Sequence, residues 1–312
     1  MGRFQKQNAF DVLDRHRNDI LSFNDDIEGT AAVAVAGLIN ACRYKKTKIK
    51  DERILIIGAG AAGAGIARLI HYRMMKQGLS SEQAKSKIVL TDSQGMLLES
   101  NIDRLEPYKK KLAYPQKDFE KLGISNENAQ DLFAVVKAFS PTIIVGTSGQ
   151  PGVITKEIVQ YACTYCENPT IFPFSNPTSL SEAHPKDLIE WSKGKVLTAT
   201  GSPFDPVMFE GKQFTIGQGN NVFVFPGIGL GAMINRCKLI DQEIFELSAQ
   251  ALADCVSQDQ LNHGCLFPSI DQLKTVTHSI VKAIGQHTKN PHIEAQLKAW
   301  NWYPEYPEID IG

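Results

Sequence analysis

Gly58-Ala59-Gly60-Ala61-Ala62-Gly63 directly follows the apolar run Arg53-Ile54-Leu55-Ile56-Ile57. It opens a segment, Ala61 to Gln77, in which Ile66, Leu69, Ile70 and Met74 recur at helical spacing. A short continuous apolar run ended by glycine suits a strand buried on both faces of a parallel sheet. In such a strand, turn and helix the first glycine permits the tight turn and the second lets the backbone approach a pyrophosphate. The third lets helix and strand pack closely, and the helix N-terminus offers free N–H groups and the positive end of its dipole. A lone G-x-G-x-x-G is a weak match; the strand before it and the helix after it supply the confirming context. Gly58, Ala59, Gly60, Ala62, Gly63 and Gly65 are therefore the expected cofactor-binding positions, against the alternative of a tight glycine turn with no ligand.

Further apolar runs at Lys87 to Thr91, Thr142 to Gly146, Pro169 to Phe174 and Lys195 to Ala199 read as strands, with a helix at Lys156 to Tyr161. Strands alternating with helices imply βαβ units and an α/β fold, a doubly wound, mostly parallel Rossmann-like sheet. From Gly231 onward the pattern is helical, with Asp241 opening one helix over Gln242 to Val256 and another over Ile270 to Gln286. The tail Trp300-Asn301-Trp302-Tyr303-Pro304-Glu305-Tyr306-Pro307 reads as an extended arm. Lys45, Lys46, Lys48 and Lys50, between a helix and the first strand, read as a solvated connection rather than an anion site.

With 33 Lys plus Arg against 34 Asp plus Glu, the formal charge is -1. That removes the basic field needed by a nucleic-acid binder or a polybasic membrane segment. Apolar stretches such as Ala31 to Ile39 are too short to span a bilayer. Six scattered cysteines in a chain able to bury a full core indicate a reducing compartment, cytoplasmic or an organelle matrix. Cys163 and Cys166 form a C-x-x-C with no second pair at zinc spacing, so two helix cysteines facing one way are expected rather than a metal or redox site.

Strand two ends in Thr91-Asp92, where an acid accepts hydrogen bonds from the adenosine ribose and repels a 2'-phosphate, favouring NAD over NADP; Ser93 beside it would tolerate a phosphate. Phe23-Asn24-Asp25-Asp26-Ile27-Glu28-Gly29-Thr30-Ala31-Ala32 begins a helix with three carboxylates in four positions. Ordinary N-capping is one reading; a Mg or Mn site, built from hard oxygen ligands, is the other. Ser175-Asn176-Pro177-Thr178 and Gly217-Gln218-Gly219-Asn220-Asn221 place carboxamides at strand ends, where they can bind a carboxylate or a nicotinamide amide or can simply make turns. Thr147-Ser148-Gly149-Gln150 at another strand end would line the ligand crevice of a doubly wound sheet.

Taken together and in order, these motifs, with Ala199-Thr200-Gly201-Ser202-Pro203-Phe204 and Phe225-Pro226-Gly227, resemble the malic enzymes over nearly the whole chain. The resemblance implies oxidation of L-malate with NAD, or less favourably NADP, and decarboxylation to pyruvate and CO2 with Mg or Mn. It implies that Asp26 is a metal ligand and that Asp25 orients a catalytic lysine. It implies that Asn176, Asn220 and Asn221 contact malate or the nicotinamide end, with Ser148 beside the cofactor. Residues 25–220 would form the NAD-binding domain, 1–24 a remnant of the substrate domain, and 221–312 its helical continuation and arm.

The chain also departs from the family pattern. Gly2 and Arg3 stand where relatives carry a Glu-Asp pair of metal ligands before the equivalent of Phe4, and Glu28 stands where glutamine is usual, a carboxylate near the metal position that would either partly compensate or be inert. The catalytic tyrosine, lysine and malate-binding arginine of the family belong to an N-terminal half with no counterpart here. The expectation is a chain that binds NAD but has little malic enzyme activity alone, acting as a homo-oligomer or with a separately encoded N-terminal half. The alternative is a non-catalytic NAD-binding fragment or regulator. Glu106, near where NADP-preferring relatives place a basic residue, agrees with Asp92 in leaning to NAD.

Overall fold

The computed structural model describes residues 6–300. Gly2, Arg3 and Phe4, and the arm beyond Trp300, lie outside the described residues. Seven strands form the main sheet: β1 (Ile54–Ile57), β2 (Ile88–Asp92), β3 (Gly95–Met96), β4 (Ile143–Gly146), β5 (Thr170–Pro173), β6 (Leu197–Thr200) and, after the hairpin β7 (Val207–Phe209) and β8 (Lys212–Phe214), β9 (Gly217–Gln218). Their order is β3-β2-β1-β4-β5-β6-β9, parallel throughout except for β3 against β2. The five expected strands are all present within two residues of their expected limits. The short β3 and β9 and the hairpin carry too few residues to show a period in the sequence.

Period two along each central strand sends alternate residues to opposite faces. Ile54, Ile56, Ile88, Leu90, Ile143 and Val145 join one apolar core, whereas Leu55, Ile57, Val89, Ile144 and Ile171 join another. The first core is closed by α2 (Thr30–Lys45), α3 (Ala61–Lys76) and the helices Gln242–Asp254 and Leu273–His287. The helices Leu132–Phe139, Lys156–Tyr165 and Pro185–Trp191 cover the second. α2 is buried from Ala31 through Cys42, which fits its lack of a polar face; a helix apolar all round must be enclosed. A further helix, α1 (Lys6–His16), lies near the start, where Phe10 stacks on Tyr108 at 4.6 Å.

Some sequence readings need correction. The C-terminal helical region begins at Phe225, with the helix Phe225–Ile234, rather than at Gly231, and the expected helix from Ile270 opens with a 3-10 turn, Ile270–Gln272. Cys166 is not helical: the helix stops at Tyr165 and Cys166 is extended. Both thiols are half-buried and pushed up by burial. The lysine stretch is not uniformly solvated either. The Lys45 ammonium is buried 2.8 Å from Glu52 Oε2, as an ion pair poorly aligned for a hydrogen bond. Among the described residues no helix is long and apolar enough to cross a membrane.

Burial alone would raise the Glu52 carboxyl. The Lys45 charge, with hydrogen bonds from Thr142 and Thr47, outweighs it and holds the group below its ordinary value. Removing one member of a buried pair leaves the other uncompensated, so Glu52→Ala is expected to lower the unfolding free energy by about 3 kcal/mol. A carboxyl with a depressed folded value contributes fully above its ordinary value of 4.5 and loses that contribution as pH falls through the folded value. Urea titrations of both proteins should therefore show the stability gap narrowing below pH 4.5; a gap constant down to pH 3, roughly a unit below an ordinary carboxyl, would contradict this account.

Candidate functional site

The carboxyl ends of β1, β2, β4 and β5 open onto a cleft of about 990 Å³. It sits where the chain passes to opposite sides of β1, the position at which open α/β sheets bind ligands. The glycine turn forms its floor, with Gly58, Ala59, Gly60 and Ala62 on its wall. Gly58 has φ +109°, and a Cβ there would lie 2.6 Å from the Ser148 nitrogen. Gly63 is behind the wall: a Cβ on it would stand 2.0 Å from the Gly58 carbonyl oxygen. Thr147 Oγ1 donates to that same oxygen at 2.7 Å, tying the turn to β4. Gly60 is the N-cap of α3 and supplies no side chain, so the first N–H groups of the helix are left for a ligand. These features fit a pyrophosphate. Gly65 does not line the cleft; it faces the turn before α2, where a Cβ would meet the Ile27 carbonyl oxygen at 2.2 Å.

Asp92 lies at the β2 end of the cleft, but not as an isolated carboxylate. Its Oδ2 accepts from Lys109 Nζ at 2.8 Å, and the same ammonium stands 2.7 Å from Glu106 Oε2. Burial would lower the Lys109 ammonium; its hydrogen bonds to the two carboxylates outweigh that and raise it. The adjoining Tyr108 hydroxyl donates to the Ala59 carbonyl at 3.1 Å, so this rim is joined to the glycine turn. Lys109, on the cleft wall, thus offsets the negative charge on which the expected bias against a 2'-phosphate rested.

Across the turn lie Asn24 and Asp26, and then the strand-end residues Ser148, Ser175 and Asn176. The acid-rich segment Asp25–Gly29 is a single π-helical turn ahead of α2, capped by Asn24, whose Oδ1 accepts from Asp26 N at 3.0 Å. The turn separates the three acids. Asp26 is exposed on the cleft wall. Asp25 turns inward: Asn221 Nδ2 donates to its Oδ2 at 3.1 Å and its carbonyl at 3.0 Å, while Oδ1 is buried with no hydrogen-bond partner among the described residues. Burial pushes the Asp25 carboxyl up, Asn221 opposes this, and the neighbouring Asp26 charge adds to it. Glu28 points away, into an ion pair with Arg17, so it adds no carboxylate at the metal position.

Asn176 Oδ1 accepts from the Ser202 hydroxyl. Asn220 is spent on capping, its Oδ1 accepting from Val222 N at 2.9 Å. Among the described residues no group of three or more His, Cys, Asp or Glu side chains is placed to hold a metal ion. Asp26 alone does not make a site for Mg or Mn. Two contributors escaped the sequence reading. Lys109 is one. The other is Glu182, fully buried behind the wall, where it accepts hydrogen bonds from the loops after both β4 and β5. A single acid between Ser181 and Ala183 carries no periodic or motif signal.

Strand order, glycine turn and cleft define a doubly wound dinucleotide-binding protein. The family model described as "Malic enzyme, NAD binding domain" matches residues 27–289, and the chain belongs to the malic enzyme family. It is 39% identical to the NAD-dependent malic enzyme of Shewanella frigidimarina, over 97% of this chain and 55% of that protein. It is 42% identical to that of Shewanella sediminis, over 91% and 50%. The chain thus spans about half the length of the curated relatives it matches. Among solved structures, the Entamoeba histolytica malic enzyme superposes with a TM-score of 0.74 at 24% identity, over 94% of this chain and 56% of the other.

If Lys109 offsets Asp92, Lys109→Ala should leave the Asp92 carboxylate without its ammonium where an adenosine 2'-phosphate would lie. Paired fluorescence titrations with NADH and NADPH should show the preference for NADH rising about tenfold, since like-charge contacts of this kind cost on the order of 1.4 kcal/mol. An unchanged ratio would show that the lysine does not set the charge seen by the cofactor.

Proposed function

We propose that this chain is the cofactor-binding part of an NAD-dependent malic enzyme, acting in the oxidative decarboxylation of L-malate to pyruvate and CO2. The observation that carries the reading is the continuous cleft from Asp92 and Lys109, over the glycine turn, to Asp26 and Asn176. Its span suits an extended dinucleotide, adenosine ribose at Asp92, pyrophosphate over Gly58 to Ala62 and nicotinamide toward Ser148 and Asn176. Bound NAD supplies the acceptor for the hydride leaving malate C2.

This chain's own residues orient and enclose that acceptor. Ser148 and Asn176 present polar groups at the nicotinamide end, and Asp26 projects into the same end of the cleft. Asp25 stands beside Asp26 in the π turn, in keeping with the lysine-orienting role that the family resemblance assigns to it. Asn221 holds Asp25 in place through the paired hydrogen bonds described above. On this reading Asp26 would be one ligand of a Mg or Mn site completed by residues beyond those described, and residues 221–300 would flank the malate. The part of the relatives' length that this chain does not cover would supply the remaining groups.

NADH binding without turnover is the expected outcome for the purified chain. With malate, NAD and Mn its rate of NADH formation should be lower than that of a full-length relative by a factor of about 10³ or more, the usual loss when general acid–base groups are missing. Robust NADH production by the chain alone would overturn the assignment of the missing groups to another half. Failure to bind NADH would favour a fragment that has lost the cofactor as well.

A further inference from the structure

Two loops carry the cleft wall at its nicotinamide end, one after β4 and one after β5, and the sheet ladder holds only their first residues, Thr147 and Phe174. Both are fastened to one buried side chain. Glu182 Oε1 accepts from Ser148 N at 2.7 Å, Ser148 Oγ at 3.0 Å and Gly149 N at 3.1 Å in the first loop, and from Ser175 Oγ in the second. Its Oε2 accepts from Ser175 N at 3.3 Å. The loops are also joined directly, Gly149 N donating to Ser175 Oγ at 2.8 Å. Glu182 is completely buried, and its own carbonyl accepts from Ile154 N at 3.2 Å, which anchors its backbone beside the first loop. A Cβ on Gly146, the last residue of β4, would stand 2.6 Å from the Glu182 carboxyl carbon, so the strand end is shaped around this acid.

Five donors converging on one carboxylate make a charge-assisted cluster, stronger per bond than neutral contacts and costly to leave half-satisfied. Without it the N–H groups of Ser148 and Ser175 would point into the wall without partners, each at a desolvation cost, and Gly149 N would keep only its bond to Ser175 Oγ. Ser148 and Ser175 reach the cleft, whereas Glu182 stays behind them. It touches no ligand; it sets where the ligand-facing residues stand.

We infer that Glu182 is a positioning residue for the nicotinamide half of the dinucleotide, acting through the Ser148–Gly149 and Ser175 loops, while the adenosine half is held independently at the glycine turn and Asp92. The inference rests on the dinucleotide reading of the cleft. It separates the cofactor into two halves held by different devices, so the two can be uncoupled. In Glu182→Gln an amide nitrogen replaces one acceptor oxygen and faces N–H donors, which loosens the two loops, while the glycine turn keeps its own tie to the end of β4 through Thr147 and the Asp92 rim keeps its ion pair.

The test compares NADH, by fluorescence titration, with ADP-ribose, by calorimetry, on the whole chain, with circular dichroism and thermal melting as checks of folding. Glu182→Gln is expected to weaken NADH about tenfold, the loss of roughly one charge-assisted hydrogen bond, with ADP-ribose affinity within about twofold of wild type. Ser175→Ala, which removes one hydroxyl from the cluster and retains the acid, is expected to weaken NADH about threefold with ADP-ribose unaffected, and it serves where Glu182→Gln does not fold. Equal losses for both ligands in a folded variant, or no loss for either, would overturn the positioning role. A wild-type chain that binds ADP-ribose as tightly as NADH overturns it too, whereas one that binds neither overturns the cofactor reading and the inference with it.

Discussion

Close approach of backbone to backbone at the start of α3 is the constraint on which the architecture depends. The Gly58 position leaves no room for a Cβ against the Ser148 nitrogen, nor Gly63 against the Gly58 carbonyl. Because these contacts are shorter than any side chain allows, α3 can lie against β1 and β2 with its first N–H groups directed into the cleft. The same contact tightens the sheet at the point where the chain crosses from one side of β1 to the other. Core packing on both faces of β1 then supplies the stability that makes so crowded a turn affordable.

Around that turn the site is assembled from two ends by different physics. At the β2 end charges are balanced: Lys109 lies between Asp92 and Glu106, and Tyr108 links this rim to the turn. At the far end the wall is held by a buried acid that consumes backbone donors of two loops. Between them the π turn before α2 sorts three neighbouring acids into three environments. Asp26 faces the cleft, Asp25 faces Asn221, and Glu28 faces Arg17. Three acids that adjoin in sequence are therefore not one metal site in space.

Much of this was legible before any coordinates. The apolar run, the glycines and the helical period after them reported the first βαβ unit because each depends on local pattern alone. Capping ahead of α2, one of the two readings of the acid-rich segment, depends on local pattern in the same way. The ion pair of Asp92 with Lys109 was not, since 17 positions and a change of element separate partners that only the tertiary fold brings together. Glu182 left no trace because a buried acid is recognised by the donors around it, and those come from loops up to 34 positions away. Lys45 was misread as solvated for the same reason, its partner Glu52 being reached only by a turn of the chain. Cys166 lies just past a helix end at Tyr165 that periodicity cannot locate to the residue.

A crystal structure of the chain with NAD bound tests the central claim most directly. The account predicts a pyrophosphate over Gly58 to Ala62 at the N-terminus of α3, the adenosine ribose beside Asp92 and Lys109, and the nicotinamide against the loops that Glu182 holds together. A dinucleotide lying outside this cleft, or running through it with its nicotinamide at Asp92, would contradict it.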